Sequence, residues 1–183
     1  MVKYVNHNYT EREKTVIDVL LKHYELDINS FLNVGFHSWN DKRTHWWIKF
    51  CEFNKIDWKI LEIFEPNIIS AIKDGCPVNK IQLGDILNYD SYDNYDCILF
   101  WHGPEHIKKD IFLENLNEIE KKANKIIIFG APLGHEPQGI VYGNSHEEHI
   151  SEWISNDFID LGYQVIEVHD GLRYSHITAY KIL

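Results

Sequence analysis

The nine residues Phe31 to Trp39, FLNVGFHSW, decide how the chain is read. Four residues of strand-like bulk run into a glycine and a short polar turn, and a helical pattern opens soon after at Trp46, Trp47, Phe50 and Cys51. A buried strand turning into a helix in this order is the opening of a doubly wound α/β domain. The carboxyl end of such a strand opens a crevice for a ligand, and a glycine there lets backbone approach without a Cβ in the way. His37 and Trp39 stand where a glycine-rich loop would repeat its glycines, so the turn alone is a weak motif. The reading rests on what flanks it.

Upstream, Thr10 and Glu13 have the spacing of a capping box. Val16, Ile17, Leu20 and Leu21 behind them predict a helix from about Glu11 to Tyr24, expected to cover the sheet edge beside the first strand. Downstream, Ile60, Leu61 and Ile63 mark a second strand containing Glu62. A helix over 68–74 stops at Asp74-Gly75, and Lys80 to Leu83 reads as a short third strand ended by Gly84-Asp85. Tyr95-Asp96 leads into Cys97 to Trp101, a continuous apolar run of the kind a strand buried on both faces needs. After His102-Gly103-Pro104 the pattern predicts a helix from about Ile107 to Ala123 and a fifth strand over Lys125 to Phe129. Gly130 to Ser145 is rich in Gly and Pro, and a loop that long in a compact domain is more often functional than filler. Trp153, Ile154, Phe158 and Leu161 mark a last helix, and Gln164–His169 and His176–Ile182 flank Asp170-Gly171 as an antiparallel hairpin. The alternation argues a mostly parallel sheet.

With 183 residues and 44% hydrophobic content, the chain can bury one good core, so residues 1–183 are expected to form a single domain. A formal net charge of -10 argues against nucleic acid as the main partner, because counterion release needs a basic face. Three cysteines without C-x-x-C spacing fit inert thiols in a reducing cytoplasm. No apolar run is long enough to span a membrane, so no membrane partner is expected. Nothing in the residues fixes an oligomeric state.

The whole pattern, a Rossmann-like parallel sheet closed by an antiparallel C-terminal hairpin, resembles the class I S-adenosylmethionine-dependent methyltransferases. Asn33 and Gly35 fall at that family's first turn, Glu62 at the acidic end of the second strand, and Asp85 at the acidic position after the third. The segment YDCILFWHGPEH looks like the family's fourth-strand segment, with Tyr95, Asp96, Glu105 and His106 matching and Gly103-Pro104 departing. The stretch from Ala131 to Trp153 resembles a subgroup of small bacterial methyltransferase-like domains. Asn33 replaces an acidic residue, which leaves open a fold retained only as a non-catalytic binding module.

The resemblance implies S-adenosylmethionine bound by Asn33, Gly35, Glu62 and Asp85; Trp101 is read with this cofactor-binding set because it lies near the proposed crevice, where its ring could also stack on a flat acceptor or sugar. Glu62 suits a ribose diol, since two hydroxyls can donate to one carboxylate, although Glu65 is an alternative. Asp85 suits an adenine amino group but is equally an ordinary turn residue. Methyl transfer from a sulfonium needs an acceptor positioned and relieved of a proton. His102 is the first choice for that task, with Glu105 and His106 beside it, although these two also suit a helix start. His135, Tyr142, His146, His149 and Trp153 are read as binding a small-molecule or sugar-containing acceptor. A rival enzyme class, a metal-dependent hydrolase, would draw on His135, His146, Glu148 and His149. That set lacks the H-E-x-x-H spacing, so these residues are read first as acceptor-binding groups and no metal is assigned.

Overall fold

The computed structural model describes residues 9–39, 46–169 and 175–183. The Asp170-Gly171 turn lies outside them. Thr10 caps α1 (Glu11–Lys22): its hydroxyl accepts the Glu13 N–H at 3.2 Å, and the Glu13 carboxylate accepts the Thr10 N–H at 2.8 Å. The remaining elements are β1 (Ser30–Val34), α2 (Trp46–Asn54), β2 (Asp57–Glu62), α3 (Glu65–Lys73), β3 (Ile81–Leu83), β4 (Tyr95–Trp101), α4 (Lys109–Glu120), β5 (Ala123–Pro132), α5 (Ser155–Ile159), β6 (Gln164–His169) and β7 (Ser175–Ile182).

Among the described residues seven strands form one sheet in the order β3-β2-β1-β4-β5-β7-β6. The first five are parallel; β7 runs antiparallel between β5 and β6. Alternation along the strands explains why the sheet is covered twice. Phe31, Cys97, Leu99, Ile126 and Ile128 face the layer of α1, α2 and α3, while Leu32, Ile98, Ile127 and Phe129 face the layer of α4 and α5. All nine of these side chains are 0% exposed, and each fully buried apolar side chain stabilises the fold by about 1.5–3 kcal/mol.

Two expectations are corrected. The stripe of α1 lies on the α2 and α3 face but over β7 and β6, where Thr15 Oγ1 is 2.5 Å from Thr178 Oγ1 of β7, and not beside β1. The place over β1 is taken by α2, whose Trp47 stacks on Phe31 at 5.6 Å between ring centroids. The loop expected from Gly130 also begins later, because Gly130, Ala131 and Pro132 continue β5 and pair with Thr178, Ile177 and His176. Among the described residues no helix is long and apolar enough to cross a membrane.

Candidate active site

After β3 the chain crosses back over β1 to start β4, so the strand order reverses between β1 and β4. Ligands in open α/β sheets sit outside the carboxyl ends of the strands at such a point. A cavity of about 510 Å³ opens there, lined by the ends of β1, β2 and β4, the turn after β3, the start of α1 and part of the loop after β5.

Gly35 turns the chain out of β1 at φ +84, and its N–H is held by the Leu61 carbonyl at 2.9 Å. A Cβ at Gly35 would meet nothing within 4 Å, so it is the left-handed backbone that favours glycine here. Asn33, buried beside it, donates from Nδ2 to the Gly35 carbonyl at 2.6 Å. Glu62 ends β2 at 3% exposure. One of its carboxylate oxygens accepts the Phe36 N–H and the other the Phe64 N–H, both at 2.7 Å. Burial nevertheless pushes its carboxyl up to about 7 against these two N–H donors, and the negative charge of Glu147 adds to the rise. Asp85 lies in the turn after β3, where one oxygen accepts the Leu87 N–H at 2.9 Å. Glu65 starts α3 outside the cavity lining.

At the end of β4, Trp101 and His102 line the same cavity. His102 adopts φ 50, and its Nδ1 donates to Glu105 Oε1 at 3.2 Å. Glu105 is 2% exposed. A Cβ on Gly103 would collide with the Phe100 ring, so glycine lets the turn after β4 pass close over that side chain. His106, His146 and His149 also line the cavity. His149 is brought there because the Glu105 carbonyl accepts the Ile150 and Ser151 N–H groups at 2.8 and 3.1 Å, which stitches that segment onto the turn after β4.

Two of the expected acceptor residues, Trp153 and His135, stand elsewhere, while Tyr142 borders the cavity. Trp153 is 0% exposed, T-shaped to Phe112 and stacked on Phe158, with its indole N–H donating to Ser151 Oγ at 2.9 Å; it is core. His135 sits in a separate groove and pairs with Glu152 at 2.6 Å. Tyr142 is 89% exposed at a tight turn with Gly143, both at positive φ, and its ring lies 5.8 Å from that of His37, which lines the main cavity. The set His135, His146, Glu148 and His149 does not assemble as a metal cluster among the described residues.

Sequence reading also missed residues. Arg12, Glu136, Gln138 and Asn144 line the cavity. Only the last three carried a signal, since they fall in the glycine-rich segment. His176 of β7 is 0% exposed and lies 4.4 Å from Trp101 and 4.8 Å from His102 between ring centroids. Burial holds it well below the usual histidine range, and His102 and Arg12 push it the same way.

No protein-family model matches the chain, and no curated protein matches it in sequence. Solved structures do. A magnesium protoporphyrin IX methyltransferase from Synechocystis PCC 6803, with bound S-adenosylmethionine, superposes with a TM-score of 0.61 at 12% identity, covering 92% of this chain and 76% of that one. An S-adenosylmethionine-dependent methyltransferase from Clostridium acetobutylicum ATCC 824 gives 0.61 at 11% identity over 97% and 93%. One from Archaeoglobus fulgidus gives 0.56 at 13% identity over 92% and 94%. Strand order, switch-point cavity and these superpositions agree: the chain has the fold of the class I S-adenosylmethionine-dependent methyltransferases.

Proposed function

We propose that this chain binds S-adenosylmethionine and transfers its methyl group to a small-molecule acceptor. The observation that carries the reading is Glu62: a buried carboxylate at the end of β2, aligned with the Gly35 turn and facing the switch-point cavity. A carboxylate has about four acceptor positions; two are taken by backbone N–H groups, which leaves capacity for the two hydroxyls of a ribose. Asp85 would accept from the adenine amino group, and Asn33 and Gly35 shape the turn against which the rest of the cofactor lies. Trp101 supplies an apolar wall.

When bound, S-adenosylmethionine supplies an activated methyl carbon for in-line displacement. The chain's own part is to bind, orient and take a proton. His102 fits the last task because Glu105 holds its Nδ1–H and leaves the other ring nitrogen as the acceptor, the arrangement of a histidine base steadied by a carboxylate. The carboxylates of Glu136 and Glu147 on the lining favour a sulfonium cation, and Gln138, Asn144 and His146 offer hydrogen bonds to a hydroxylated acceptor such as a sugar-containing metabolite. The net charge of -10 supports a small acceptor over a nucleic acid. Three buried, free cysteines suit a reducing, cytoplasmic setting.

Calorimetric titration with S-adenosylhomocysteine tests the reading. Saturable binding with a rise in unfolding temperature is expected. No heat and no thermal shift at millimolar ligand would overturn it and leave a methyltransferase fold used for something else.

A further inference from the structure

We propose that Glu105, His106 and His149 bind a divalent transition-metal ion, zinc in the first instance. One donor atom from each lies within 4.8 Å of the others. Donors about 2.0–2.2 Å from a shared zinc ion lie roughly 3–4 Å apart, so side-chain adjustments on the order of an ångström close the site.

Two observations separate this cluster from a chance meeting of histidines. Glu105 is 2% exposed; its Oε1 accepts from His102, while its Oε2 is buried without a hydrogen-bond partner among the described residues. A buried carboxylate oxygen left bare is costly, and a cation satisfies it. The imidazoles are also fixed from behind. His106 Nδ1 donates to the Glu148 carbonyl at 3.1 Å, and His149 Nδ1 donates to the Glu136 carbonyl at 2.5 Å. Such backbone anchors set the tautomer and leave both Nε2 lone pairs free for a metal, as in established metal sites.

The donor set selects the ion. Two imidazoles and one carboxylate suit zinc, manganese or cobalt, whereas magnesium prefers oxygen ligands and water. His106 and His149 line the main cavity, so positions left open on the ion would face an acceptor there. A hydroxyl bound to the ion would lose its proton more readily, with His102 on the other oxygen of the same carboxylate to receive it. That use rests on the methyl-transfer reading; metal binding itself does not.

The test is calorimetry and elemental analysis of protein purified without an affinity tag. One zinc ion per chain is expected, with cobalt giving visible absorption bands and magnesium binding about 100-fold more weakly or worse. Glu105→Gln, His106→Ala and His149→Ala should each weaken zinc about 100-fold, and His135→Ala should leave it unchanged. S-adenosylhomocysteine binding checks that each variant is folded, and the two half-exposed histidines carry the test if the buried Glu105 variant does not fold. Absence of stoichiometric zinc, equal affinity in His149→Ala and the parent, or equal affinity for magnesium would overturn the proposal. Zinc failure with retained S-adenosylhomocysteine binding sinks the metal site alone; the reverse result sinks the cofactor reading alone.

Discussion

The Glu62 carboxylate accepts the Phe36 N–H at 2.7 Å, so the end of β2 holds the turn that leaves β1. Its other oxygen does the same for Phe64 at the start of α3. One buried acid therefore shapes the mouth of the cavity before any ligand arrives. Glu62→Gln keeps the volume but turns one acceptor oxygen into a donor amide facing an N–H group. With charge-assisted bonds lost at about 1.5–3 kcal/mol, S-adenosylhomocysteine should bind about 10- to 100-fold more weakly. Burial also places the carboxyl at about 7, and a ligand that needs the carboxylate must first expel its proton. Affinity should fall about tenfold from pH 8 to pH 6 in the parent and stay level in Glu62→Gln, measured by calorimetry at each pH.

Gly130 of β5 pairs with Trp101 of β4, and a Cβ on Gly130 would run into the Trp101 ring. The ring cannot easily retreat, because Trp46 stands 5.9 Å away and His176 4.4 Å away between centroids. Gly130→Ala should therefore cost about 1–3 kcal/mol by overpacking and push Trp101 into the cavity. Urea unfolding together with S-adenosylhomocysteine titration checks both effects. An alanine variant as stable and as tight-binding as the parent would contradict this account of the contact.

Trp153 belongs to the core between Phe112 and Phe158, so Trp153→Ala should lose about 3–5 kcal/mol of stability. Cofactor-analogue affinity, measured below the unfolding transition, should be unchanged. Tyr142→Ala, at an exposed turn, should alter stability by no more than about 0.5 kcal/mol. Thermal unfolding of the two variants separates a packing role from a surface one.

The contrast between these residues shows what the sequence made legible. β1, β2 and β4 were readable because each is a run of bulk with a local stop, and Glu62 stood out as an acid ending an apolar run. The place of β7 between β5 and β6 was not readable, since pairing of Ile126 with Ile182 joins residues far apart in the chain. The core place of Trp153 is illegible for the same reason: its bridges to Leu133 and Gly134 exist only once the sheet has formed. The meeting of His106 with His149, 5.0 Å apart between ring centroids, depends on backbone bonds from Ile150 and Ser151 to Glu105 that no spacing rule anticipates.

Two buried groups at the cavity should pull stability in opposite directions as pH changes. Glu62 is raised from 4.5 to about 7, chiefly by burial and also by Glu147. The folded state then holds a proton that the unfolded chain has released, so its contribution is full below pH 4.5 and is lost as pH rises through about 7. His176 is lowered well below 6.5, chiefly by burial and also by His102 and Arg12. Here the unfolded chain binds the proton first, so this contribution is full above pH 6.5 and is lost as pH falls. Between pH 4.5 and 6.5 the two slopes, each up to about 1.4 kcal/mol per pH unit, offset one another in the parent. Glu62→Gln removes the first, so relative to the parent its stability should rise with pH across this window. His176→Phe keeps a ring between Trp101 and His102 but cannot titrate, so relative to the parent its stability should fall with pH. Urea unfolding of the three proteins at several pH values reads the difference directly. Parallel curves for all three would mean that neither group is held away from its ordinary protonation by the fold.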